Sequence, residues 1–123
     1  MRKQVLAIGL DPIHADLAAF PGLSPELVRS YIDTQIEKLR QAGLEPHSCL
    51  IDRGESAAAV VERALQLQRF DCVLIGAGLR SPPELLLLFE KILNLIHVLA
   101  PTARICFNTT PADTLEAVQR CLK

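Results

Sequence analysis

The residues best suited to chemistry stand where the apolar runs of this chain end. Asp11 follows QVLAIGL, Asp52 follows SCLI, Gly76 and Gly78 follow CVLI with Arg80 just beyond, and Asn108 and Thr109 follow ARICF. Gly9 lies just inside the first run. A guanidinium, backbone left open by glycine and helix N-termini with free N–H groups suit an anionic small molecule such as a nucleotide or phosphate ester. The plainer explanation is that Asp11, Asp52, Ser81 and Thr110 are turn and capping residues, with Arg80 neutralising Asp11. A third possibility is a hard or borderline metal held by Asp11, His14 and Asp16 with Asp52. The D-x-x-H-x-D spacing is common by chance in a loop, so no metal ligands are assigned.

No nucleophile has a base near it in the sequence, and His47 and His97 have no evident partner, so catalytic residues stay unknown. The G-x-G of Gly76 and Gly78 lacks the third glycine of the dinucleotide fingerprint, and no cofactor is expected. Two functional classes remain open. One is a non-catalytic domain that binds an anionic small molecule or another protein. The other is a small hydrolase or transferase acting on a phosphorylated substrate. In either case the expected ligand-binding residues are Gly9, Asp11, Asp52, Gly76, Gly78, Arg80, Asn108 and Thr109.

The elements that must position these residues follow from hydrophobic patterning. Gln4 to Leu10 and Cys72 to Ala77 are continuous apolar runs, as expected of strands covered on both faces. The segment from Glu45 to Asp52 is more polar and begins with Pro46, and the strand before Asn108 alternates Ile105 and Phe107 against Arg104 and Cys106; both suit sheet edges. Ser24-Pro25-Glu26 opens a first helix that Gly43 ends, with Val28, Tyr31, Ile32, Ile36, Leu39 and Ala42 along one face. A second helix runs to about Arg69 with Ala57, Val60, Val61, Ala64, Leu65 and Gln68 near one face. Ser81, Pro82 and Glu84 read as the capped start of a third helix over residues 82–99, and Thr110-Pro111 starts the last. The long segment 11–23 suggests either a binding loop or packing of Leu17 and Phe20 over the domain edge.

Strand-helix repeated four times calls for a three-layer αβα sandwich around a four-stranded parallel sheet of order 2-1-3-4, with the first and last helices on one face. Nothing divides residues 1–123 into more than one domain. Ligands of such sheets bind beyond the C-terminal strand ends, here between the first and third strands.

The pattern resembles a flavodoxin-like, Rossmann-like domain shortened by one strand, and DCVLIGAGLRSPPELLLLFEKI is similar to the strand, acceptor loop and helix of a response-regulator receiver. Gly76 stands where a receiver carries its phosphoacceptor aspartate, the acidic pair is reduced to Asp11, and no fifth strand carries a lysine. Receiver-type phosphorylation is therefore not expected. GLDP, LIDRGE, IGAGLR with PPELLLLFE, and FNTTPAD together resemble an uncharacterised family of small bacterial and fungal α/β proteins, which implies a fold and no activity.

A net charge of -1 without a basic cluster, and 4 Phe with 1 Tyr as the aromatics, argue against nucleic acid and anionic membranes as partners. The first apolar run is too short for a signal peptide and has no cleavage site, so a cytoplasmic location is expected. Cys49, Cys72, Cys106 and Cys121 have no C-x-x-C spacing and read as buried structural thiols. On the third helix Leu86, Leu87, Leu93 and Val98 fall outside the core-facing stripe, which suggests a homodimer through that surface.

Overall fold

The computed structural model describes residues 2–123. Four parallel strands, β1 (Gln4–Leu10), β2 (Glu45–Ile51), β3 (Cys72–Ile75) and β4 (Arg104–Phe107), form one sheet of order β2-β1-β3-β4. This is the order expected from two apolar and two mixed strands. The continuous runs are buried because β1 and β3 are sandwiched: Val5, Ile8, Val73 and Ile75 are at most 1 % exposed.

Among the described residues five helices complete the layers: α1 (Pro25–Gln41), α2 (Ala57–Leu67), a single turn α3 (Ala77–Arg80), α4 (Leu86–Leu99) and α5 (Thr114–Leu122). Helix α1 starts at Ser24, whose hydroxyl accepts from the Leu27 N–H, and ends before Gly43, which takes the left-handed φ of 90°. Leu39 of α1 and Ala117 and Val118 of α5 pack with Val5, Ala7, Cys72, Leu74 and Cys106 on one face of the sheet. Val61 and Leu65 of α2 and Ile92 and Ile96 of α4 pack on the other. Among the described residues no helix is long and apolar enough to cross a membrane.

Several local expectations are corrected. The glycine turn after β3 is helical: Asn108 Oδ1 accepts from the Ala77 N–H at 2.8 Å and caps α3. Ser81 therefore closes that turn, its N–H donating to Ala77 O, and makes no cap for the next helix. Pro82 then breaks the path with ψ 123°, a 3₁₀ turn Pro83–Leu85 follows, and α4 begins at Leu86, not at Pro82. Thr110 caps a 3₁₀ turn, Pro111–Asp113, that precedes α5. On α4, Leu93 packs half-buried against the core, whereas Leu86, Leu87 and Val98 are exposed. On α1, Tyr31 is exposed and Gln35 takes a buried place on the sheet-facing side.

Candidate functional site

Alternate residues of a strand share a face, so Val5, Ala7 and Gly9 of β1 and Cys72, Leu74 and Gly76 at β3 point toward the layer of α1 and α5. In both rows the last side chain is missing. Ala7 is registered between Ser48 and Leu74, and Gly9 against Leu50. Helix α1 is held over this floor by Leu39, which is fully buried, and farther along it cannot fill the space the glycines leave. The result is a cavity of about 520 Å³ at the C-terminal ends of the strands, within the roughly 300–1,000 Å³ of small-molecule pockets.

Val28, Ile32, Gln35 and Ile36 of α1 roof the cavity, and Leu17, Phe20 and Leu23 from the long loop close one side. Ala77, Gly78 and Pro82 with Thr109, Thr110 and Thr114 form the opposite rim. A Cβ placed on Gly9 would meet only Leu50 Cδ2, at 3.5 Å. A longer side chain there would extend into the cavity.

None of the lining residues carries a titratable side chain. The polar groups of the rim are mostly engaged with one another. Asn108 Nδ2 donates to Thr114 Oγ1 at 3.1 Å, the Thr114 hydroxyl donates to Pro111 O, and the Thr109 hydroxyl donates to the Asp113 carboxylate. Gln35, in the roof, is the buried polar side chain outside this network. It is 9 % exposed and its Oε1 is buried with no hydrogen-bond partner, a state that costs about 1–3 kcal/mol. Gln35 lines the cavity while Oε1 itself is covered, so a ligand donor meets it once the side-chain amide turns toward the cavity.

Of the residues singled out by sequence, Gly9, Gly76, Gly78, Asn108 and Thr109 line this cavity, and Asp11, Asp52 and Arg80 do not. Arg80 forms no ion pair with Asp11. The α3 turn carries it toward β4, where Nη2 donates to Asn108 O at 3.0 Å and the guanidinium lies 5.8 Å from the Phe107 ring centre. Asp11 Oδ1 accepts from the Ile13 N–H and the Asp16 carboxylate from the Ala18 N–H. Both serve their own turns, and the aspartates and His14 make no metal-sized cluster among the described residues.

Asp52 is likewise a turn residue: its carboxylate accepts from the Ser56 hydroxyl and from the Gly54 and Ser56 N–H groups. The Ser56 hydroxyl, then the Gly54 N–H, lower its pKa from 3.8 to about 2. The Thr109 hydroxyl lowers that of Asp113 in the same direction. A carboxylate lowered on folding contributes stability above its unfolded pKa, about 3.9, which is lost as pH falls through the folded value. The urea midpoint should therefore drop between pH 4 and pH 2, and Asp52→Asn should flatten that drop when the two proteins are compared by circular dichroism. An unchanged slope would show that the turn does not hold the carboxylate.

The sequence reading missed Gln35. The available signal was a polar residue set among Ile32, Ile36 and Leu39 on the sheet-facing stripe of α1.

Fold and cavity together define a parallel α/β domain with a neutral, ligand-sized cavity at the ends of its central strands. No protein-family model matches the chain, and no curated protein matches it in sequence.

Proposed function

We propose that the domain is a non-catalytic receptor for a neutral, largely apolar small molecule held between α1 and the ends of β1 and β3. A cavity lined mostly by apolar side chains and by no titratable group carries this reading, with the unpartnered Gln35 amide in its wall as the one buried polar group a ligand can engage. A charged ligand would lose its hydration there and gain no counter-charge, so the anionic ligand suggested by Arg80 gives way to a neutral one with a single hydrogen-bond donor. The alternative of an enzyme for phosphorylated substrates would need a cation in the cavity, and neither Arg53, bound to His14 O and Glu84, nor Arg80, bound through Nη2 to Asn108 O with Nε buried and unpartnered, lines it.

2-Naphthalenemethanol, a flat apolar alcohol, is a suitable probe. At 100 times its dissociation constant a ligand adds about 2.7 kcal/mol, which for a domain of this size raises the melting temperature by roughly 10 °C. Gly9→Leu should place a side chain in the cavity and abolish the shift while the fold persists. A shift that survives Gly9→Leu would move the ligand elsewhere.

We also propose that the outer face of α4 pairs with a second copy. Leu86, Leu87 and Val98 are 57 %, 78 % and 70 % exposed. Between them stand Glu90 and Lys91, which in an antiparallel two-fold pair can face each other with opposite charge. Sedimentation should show a dimer at micromolar concentration that Leu87→Glu with Val98→Glu splits. A monomer of the unaltered protein would end this proposal.

A further inference from the structure

Three of the four cysteines meet on the α5 side of the sheet, at the opposite end of that face from the cavity mouth. Cys72 on β3 and Cys106 on the adjacent β4 point to the same face, since Leu74 is registered with Cys106 and Cys72 lies one pleat earlier. Their sulfurs are 3.5 Å apart. Cys121, one turn beyond Ala117 and Val118 on α5, brings a third sulfur, and the three lie within 4.8 Å of one another. Among the described residues no His, Asp or Glu joins them.

We infer that Cys72, Cys106 and Cys121 form a three-sulfur site for a soft monovalent cation, copper(I). With metal–sulfur bonds of about 2.3 Å, a trigonal site has sulfurs about 4.0 Å apart, between the 3.5 Å contact and the 4.8 Å limit. Thiolates select soft metals, and the absence of a fourth donor in the group disfavours zinc, which takes four ligands in structural sites. Cys121 is half-buried and gives an entry from solvent, while Cys72 and Cys106 are buried. Binding forms three copper–sulfur bonds and releases three thiol protons to solvent, with no change in oxidation state.

The resulting negative charge has counter-charges at hand. Arg104 Nη1 is 3.4 Å from Cys121 O, and Arg120 Nη2 donates to Phe107 O at 3.1 Å. Core filling accounts for each buried thiol separately, since a thiol packs as a small hydrophobe. It gives no reason for three to converge while Cys49 packs alone on the other face.

Anaerobic titration with copper(I) in acetonitrile, against bicinchoninate as a competing ligand, tests the site. One copper per chain should be retained, with an ultraviolet sulfur-to-copper charge-transfer band. Cys106→Ala should weaken retention by more than the roughly 100-fold that follows loss of an outer-sphere partner, and Cys49→Ala should leave it unchanged. X-ray absorption on the unaltered protein keeps the test independent of whether the variants fold; it should show three sulfurs at about 2.3 Å and no nitrogen or oxygen. Loss of copper to the competitor, retention that needs Cys49, a two-sulfur or mixed-donor shell, or retention of zinc in place of copper would each overturn the assignment.

Discussion

Gln35→Leu should make the protein more stable and a poorer binder at the same time. The Oε1 atom is buried without a partner, so removing it should return about 1–3 kcal/mol, a rise of roughly 4–12 °C in melting temperature. Leucine suits the surrounding Ile32, Ile36 and Leu39 and preserves the helix, because its propensity is at least that of glutamine. The same change removes the acceptor offered to a ligand, and affinity for 2-naphthalenemethanol should fall about 10-fold, the equivalent of one hydrogen bond of about 1.4 kcal/mol. Urea denaturation read by the shift in midpoint at constant slope, with calorimetric titration of the alcohol, measures both. A loss of stability would mean that Gln35 is satisfied in solution and has no partner to gain.

Asn108→Ala should destabilise the free protein about as much as Gln35→Leu stabilises it. Asn108 is 5 % exposed, accepts from the Ala77 N–H and donates to Thr114 Oγ1, tying the end of β4 to both α3 and the start of α5. Truncation strands the Ala77 N–H at about 1–3 kcal/mol, while the Thr114 hydroxyl keeps its bond to Pro111 O. The melting temperature should fall by about 4–12 °C. Asn108→Asp keeps the acceptor for Ala77 and should fall between the two. A truncation that changes the urea midpoint no more than an ordinary surface substitution, about 0.5 kcal/mol, would exclude this role.

These two asparagine and glutamine side chains also mark how far the sequence could be read. Strand order was legible because it depends on burial: β1 and β3 are unbroken apolar runs, and Pro46 in β2 is tolerated only at an edge. Local signals were equally reliable at α1, where Ser24, Pro25 and Gly43 act within a few residues of themselves. The start of α4 was misread because the deciding contact is not local. Asn108, 31 residues downstream of Ala77, supplies the cap that turns 77–80 into helix, and so Ser81 loses the role its sequence context suggests.

The site was half legible for the same reason. Gly9 and Gly76 were marked by position at strand ends, and they do line the cavity. The charges were not, because a side chain's direction depends on the turn that carries it: α3 swings Arg80 to Asn108 O and Phe107, and Asp52 turns back on Ser56. The cysteine cluster was hidden by sequence spacing, since Cys72 and Cys106 become neighbours only when β3 and β4 pair.

Methyl NMR on the unaltered protein tests the central claim most directly, with the isomers 2-naphthalenemethanol and 2-methoxynaphthalene added in turn. They match in composition and ring system, but only the alcohol carries a donor for the Gln35 amide oxygen. Binding in the cavity predicts shifts at Leu23, Ile32, Ile36, Leu50 and Leu74, which line it, and about 10-fold tighter binding of the alcohol, the worth of one hydrogen bond. Equal affinities, or shifts confined to Leu86, Leu87 and Val98 on α4, would contradict it.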